Sequence, residues 1–174
     1  MPDYLPATGR TEMESAEYVQ LEQGLQGFAG SLVGGTIFRG LHSLVDDQTK
    51  GRIPTFAVAL RDSRAGEPRV YEYVSSACAF VPIQGTANPE ETYLAGIECW
   101  ATDLLAILKG DLGPIALSFG RARLWNVLSE QFLFDFFGDL YRMSHPLRRP
   151  AEYLRTYQRL WTKNANTAPM IFHG

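Results

Sequence analysis

Residues 56–74 read FAVALRDSRAGEPRVYEYV, and their pattern decides the fold. Phe56, Val58 and Leu60 alternate with small residues, the period of two that puts one row of side chains on one face of a strand. Asp62 to Pro68 is polar and contains Gly66 and Pro68, the composition of a turn. Arg69 to Val74 returns as a second strand, so the stretch reads as a hairpin.

Working outward toward the C-terminus, Cys78 to Ile83 is a third apolar run. Pro82 assigns it to an edge or a strand end, because proline brings no ladder N–H. Gln84 to Glu91 is a loop. Tyr93, Ala95, Ile97 and Cys99 then alternate with Leu94, Gly96, Glu98 and Trp100, a fourth strand with one apolar face. A helix capped by Thr102 or Asp103 runs through Leu104, Leu105, Ile107 and Leu108 until Gly110 stops it. Pro114 to Leu117 adds a short helix, and Arg121, Arg123 and Trp125 alternate with Ala122, Leu124 and Asn126 in a fifth strand. Ser129 caps a helix over 130–143, and a basic, aromatic helix over 151–161 precedes a tail.

Toward the N-terminus, residues 1–11 read as a loose arm. From Glu12 a helical pattern carries Tyr18, Leu21, Leu25, Phe28 and Leu32. Glycines at 24, 27 and 30 mark either a close approach by another element or a bend, and Gly34-Gly35 ends the segment. A short helix follows over 37–45, burying Ile37, Leu41, Leu44 and Val45. No helical crossover separates the first three strands, which excludes a Rossmann-like order. The expectation is an α+β domain, a five-stranded, mostly antiparallel sheet with helices on one face.

The chain has 174 residues, 45% of them apolar and 20% charged, enough for one domain with a sizeable core. A net charge of -3 gives no long-range attraction for nucleic acid or an anionic membrane. The start lacks a signal peptide's cationic and apolar regions, and no run of 18 apolar residues exists to span a bilayer. A cytoplasmic location is therefore expected, with Cys78 and Cys99 as free thiols.

Candidate chemistry is sparse. His42, His145 and His173 lie on distant segments, and no HExxH or paired CxxC is present. Gly34-Gly35 and the 110–113 stretch lack phosphate-loop spacing, and Ser31 and Ser118 lack the full GxSxG pattern. Asp135 and Asp139 share a helix face but read as its polar stripe. No catalytic residue, metal ligand or cofactor site is legible, so a non-enzymatic role is expected. The informative excess is apolar: Phe132, Leu133, Phe134, Phe136, Phe137, Leu140, Tyr141 and Met143 spread around the 130–143 helix. Such a helix is buried on several sides, lines a cavity or faces a partner.

The stretch from Cys99 to Asn126 resembles the sterol carrier protein 2-like family. Asp103, Leu104, Leu105, Gly110, Leu112, Pro114, Ala116 and Gly120 fit its capped-helix and glycine positions, and the likeness extends over roughly residues 37–143. The resemblance implies an apolar tunnel between sheet and helices that takes a lipid or another hydrophobic small molecule. Ile97 and Cys99 would line it from the sheet, Leu104, Leu105 and Leu108 from the capped helix, and Phe132, Phe136 and Leu140 from the long helix. Tyr93, Arg121, Arg123 and Trp125 are the candidates to orient a head group at its mouth. Trp125-Asn126 stands where the family pattern has a glycine, and the indole narrows that opening. The alternative use of the apolar helices is a homodimer or heteromer interface.

Overall fold

In the computed structural model, which describes residues 9–31, 38–42, 49–85, 88–112, 117 and 121–125, the quoted hairpin forms from β1 (Ile53–Arg61) and β2 (Arg69–Val74). These residues all fall within one unit of the chain, Met1–Ser144. The hairpin register pairs Val58 with Tyr71 and Ala59 with Val70. The third and fourth strands are β3 (Ala79–Ile83) and β4 (Tyr93–Trp100), and β5 (Ala122–Trp125) is the last described. Their order is β3-β2-β1-β4-β5, with β1 and β4 parallel and the other neighbours antiparallel. This is the expected α+β arrangement, of the type the sterol carrier resemblance implies.

Helix α1 (Ser15–Ala29) and helix α3 (Ala101–Lys109) pack on one face of this sheet. The face is built by the alternation read in the sequence. Phe56, Val58 and Leu60 of β1 join Tyr71 and Tyr73 of β2, Phe80 of β3, and Ile97 and Cys99 of β4. Against them lie Tyr18, Leu21, Leu25 and Phe28 of α1 and Leu104, Leu105 and Ile107 of α3. Phe38, from a helical turn over residues 38–41, fills the middle of an aromatic cluster. Its ring centroid is 4.9 Å from Phe56 and Tyr73 and 5.3 Å from Phe80. Burying each large apolar side chain contributes roughly 1.5–3 kcal/mol over leaving it exposed.

The glycines of α1 resolve into two roles. A Cβ on Gly24 would stand 2.8 Å from the Leu108 side chain, so this position lets α1 approach α3 closely. Gly30 caps the C-terminus of α1. The helix is shorter than its apolar pattern, beginning at Ser15, where Glu17 accepts the Glu14 N–H at 2.9 Å. Helix α3 ends at Gly110 in the left-handed conformation, as expected, but it starts at Ala101 with no side-chain cap. The Thr102 hydroxyl instead donates to the Arg10 carbonyl at 2.5 Å. One turn, α2 (Pro89–Thr92), occupies part of the segment read as a loop, with Pro89 in the first turn where its missing N–H costs nothing.

Hydrogen bonds clasp α1 to the sheet at both ends, and between them the Tyr71 hydroxyl donates to Glu22 at 3.0 Å. Asp62, just past β1, accepts the Tyr18 hydroxyl at 2.8 Å and the Arg64 N–H at 3.0 Å. At the other end, the Gln26 amide donates to the Phe80 carbonyl at 2.6 Å and accepts the Phe80 N–H at 3.2 Å. That side chain acts as one residue of an extra strand along the outer edge of β3. Pro82, two residues on, has no N–H to offer, so both outward-facing positions of this edge are blunted.

Of the remaining expectations, residues 1–8, Leu32, Ile37, Leu44, Val45, the 130–143 and 151–161 helices and the tail lie outside the described residues. Among the described residues, no helix is long and apolar enough to cross a membrane.

Candidate functional site: the two faces of the β4–β5 edge

The pleat of β4 and β5 divides the predicted site residues between opposite faces of the sheet. Ile97 and Cys99 point into the helix-covered core with Leu104 and Leu105, and all four are buried. Burial pushes the Cys99 thiol far up from its ordinary range, with the Asp103 and Glu98 carboxylates adding to the effect, so it stays a neutral apolar filler. Phe132, Phe136 and Leu140 lie outside the described residues.

This core is not equally closed at all its borders. Leu108, at the end of α3, Leu112, just past its Gly110 stop, and Ala122 and Leu124, on β5, pack against it while only partly buried. Register places Leu124 beside Ile97 and Ala122 beside Cys99, so the sheet continues its apolar face to the last described strand. Three of the eight predicted apolar site residues, Ile97, Cys99 and Leu108, belong to or adjoin this border. Leu112, Ala122 and Leu124 were not singled out as lining residues. For Ala122 and Leu124 the signal was available in the alternation of β5, where they oppose Arg121 and Arg123.

On the other face, Tyr93 and Trp125 form a second cluster with Ala57, Ala59 and Val70. The regular pleat would have sent Tyr93 the same way as Ala95. An irregularity in the β1–β4 register between Ile53 and Phe56 accompanies the change, and Leu94 enters the main core instead. The Trp125 indole donates to the Tyr93 carbonyl at 3.2 Å, and the Tyr93 hydroxyl donates to Glu72 at 3.2 Å. Two predicted head-group contacts are thus occupied with each other and with the sheet.

Beside them sits a buried charge that the sequence reading passed over. The Glu98 side chain is 3% exposed and is held by Arg61, whose Nε donates to Oε1 at 2.6 Å. Arg123 Nη2 stands 2.6 Å from Glu98 Oε2 without hydrogen-bond alignment, and its Nε lies 3.6 Å from Glu90. Two guanidiniums around one carboxylate offset the cost of its burial. A lone carboxylate in the middle of an apolar strand was the legible signal, but its partners come from β1 and β5. Arg123 is committed to this network. Arg121, the remaining orienting candidate, is partly exposed at the start of β5.

A cleft of about 280 Å³ opens elsewhere, between residues 9–10 and α3, bordered by Arg10, Glu17, Thr102, Asp103, Lys109 and Asp111. Arg10 and Glu17 pair across it. Its mixed charges suit a polar occupant, not an apolar one. Among the described residues no group of three His, Cys, Asp or Glu side chains is placed to hold a metal ion.

Comparison with known proteins adds no assignment: no family model matches the chain, and no match was found among curated proteins or solved structures.

Proposed function

We propose that this protein binds a hydrophobic small molecule or lipid without catalysing its conversion. The observation that carries this reading is the partly buried apolar border of Leu108, Leu112, Ala122 and Leu124, continuous with a helix-on-sheet core. A ligand's apolar part lies against that border, where each square ångström of apolar surface removed from water is worth roughly 25 cal/mol. Arg121, on the strand that carries Leu124, orients an acidic head group at the sheet edge.

Titration of the full chain with a long-chain fatty acid, followed by tryptophan emission, tests this. Binding should saturate, and Leu124→Asp should weaken it by about tenfold or more, the scale of losing one buried leucine contact. A linear, non-saturating response in the wild type counts against the pocket.

A second reading has its own observation. By register, Val74, Ala79, Val81 and Ile83 share, with Glu72, the face of β2 and β3 opposite α1 and α3, and Val81 is 37% exposed. A largely apolar sheet surface of this kind supports an interaction protein. A concentration-dependent mass in sedimentation that Val81→Lys abolishes would favour it.

A further inference from the structure

Residues 9–13 have no helix or strand of their own, yet they are tied down along their length. The Arg10 carbonyl accepts the Thr102 hydroxyl at the start of α3. The Thr11 carbonyl accepts the Ser63 N–H at 3.0 Å, and the Thr11 hydroxyl donates to the Ser63 hydroxyl at 3.1 Å. The Met13 N–H donates to Asp62 Oδ1 at 3.4 Å, and the Met13 carbonyl accepts Arg64 Nη1 at 3.2 Å. Arg64 Nε also donates to Glu12 at 3.0 Å, and Arg10 pairs with Glu17 of α1. These last two ion pairs are largely exposed, and such pairs contribute little. The segment is held instead by Thr102, by the 62–64 turn and by the Met13 side chain, which is buried in the main core.

One carboxylate organises the turn. Asp62 Oδ1 accepts both the Met13 N–H and the Arg64 N–H, and Oδ2 accepts the Tyr18 hydroxyl of α1. By fixing the Arg64 backbone it also positions the guanidinium that reaches Met13 and Glu12. Arg69 of β2 faces the same end, its guanidinium 3.8 Å from the Tyr18 ring centroid. We infer that residues 9–13 are an acid-loosened strap: protonating Asp62 shifts them toward release from the 62–64 turn, which withdraws Met13 from the core and opens the cleft along α3 that Gly9 and Arg10 border. Burial raises the Asp62 carboxyl, but the hydrogen bonds from Arg64, Tyr18 and Met13, with the Arg64 charge, outweigh that effect and keep it charged at neutral pH. A carboxyl depressed in the folded state holds the strap above its unfolded value and lets go as the pH falls through the folded one.

Hydrogen exchange of the full-length protein, corrected for the intrinsic rate at each pH, tests this from about pH 7 to about pH 3. Peptides over 10–14 and 62–65 carry the Met13, Ser63 and Arg64 amides. These should exchange about tenfold faster at the acid end, the scale of turning two charge-assisted hydrogen bonds into neutral ones, while the β1 and β4 amides stay protected. Asp62→Asn, which keeps the shape and removes the charge, should bring the same acceleration to about pH 7 and speed tryptic cleavage after Arg10. Equal acceleration of strap and sheet would overturn the proposal, because the opening is then global. So would strap peptides of the wild type that exchange at acid pH as slowly as at neutral pH, a result independent of any variant. An Asp62→Asn protein with wild-type circular dichroism and a fully protected strap would overturn it as well.

Discussion

Trp125 occupies the space that a side chain at residue 96 would need: a Cβ built on Gly96 would stand 2.1 Å from the indole ring and 2.5 Å from the Ala57 carbonyl. The two residues are partners in the β4–β5 register, so the glycine lets the indole lie flat over the sheet and reach the Tyr93 carbonyl. Gly96→Ala should therefore destabilise the protein by about 1–3 kcal/mol, the range for overpacking a filled site. Urea unfolding of the two proteins measures it. An unchanged midpoint would mean that Trp125 moves aside without cost.

Gln26 should matter more than a polar helix residue ordinarily does. Gln26→Ala leaves the Phe80 N–H and carbonyl without their side-chain partner on the outer edge of β3. A loss of about 1–2 kcal/mol is expected from the vacated hydrogen bonds. The freed edge should also promote strand pairing between molecules, read as increased light scattering at high protein concentration. Scattering identical to wild type would show that Pro82 alone blunts the edge.

Asp62 predicts an acid-sensitive clasp. Burial raises its carboxyl, but hydrogen bonds from the Arg64 N–H, the Tyr18 hydroxyl and the Met13 N–H, with the Arg64 charge, outweigh it and hold the group below its ordinary value. A carboxylate depressed in the folded state stabilises it above the unfolded value and loses that contribution as the pH falls through the folded one. The stability difference between wild type and Asp62→Asn should therefore be full at about pH 6 and shrink from about pH 4 downward. Urea midpoints across that range test it. A difference independent of pH would assign the effect to packing.

The hairpin, the apolar faces of β1 and β4 and the end of α3 were legible because each rests on a local rule. Alternation places Phe56, Val58 and Leu60 together, and Gly110 alone takes the left-handed stop without strain. The start of α3 was misplaced because the Thr102 hydroxyl serves Arg10, far away in sequence. Helix α2 is a single turn, too short to show a period. Tyr93 changed faces at a register irregularity that no local pattern announces. That displacement separates it from Ile97 and Cys99, which the sequence reading had placed around one pocket. Glu98 was visible as a charge in an apolar strand, but its meaning depends on Arg61 and Arg123, brought in from neighbouring strands.

Native mass spectrometry of freshly purified full-length protein, followed by denaturing extraction, tests the central claim most directly. The account predicts a hydrophobic adduct of one per chain, released on denaturation and depleted in Leu124→Asp. A clean apo mass for each chain, with no gain on incubation with fatty acid, would contradict it.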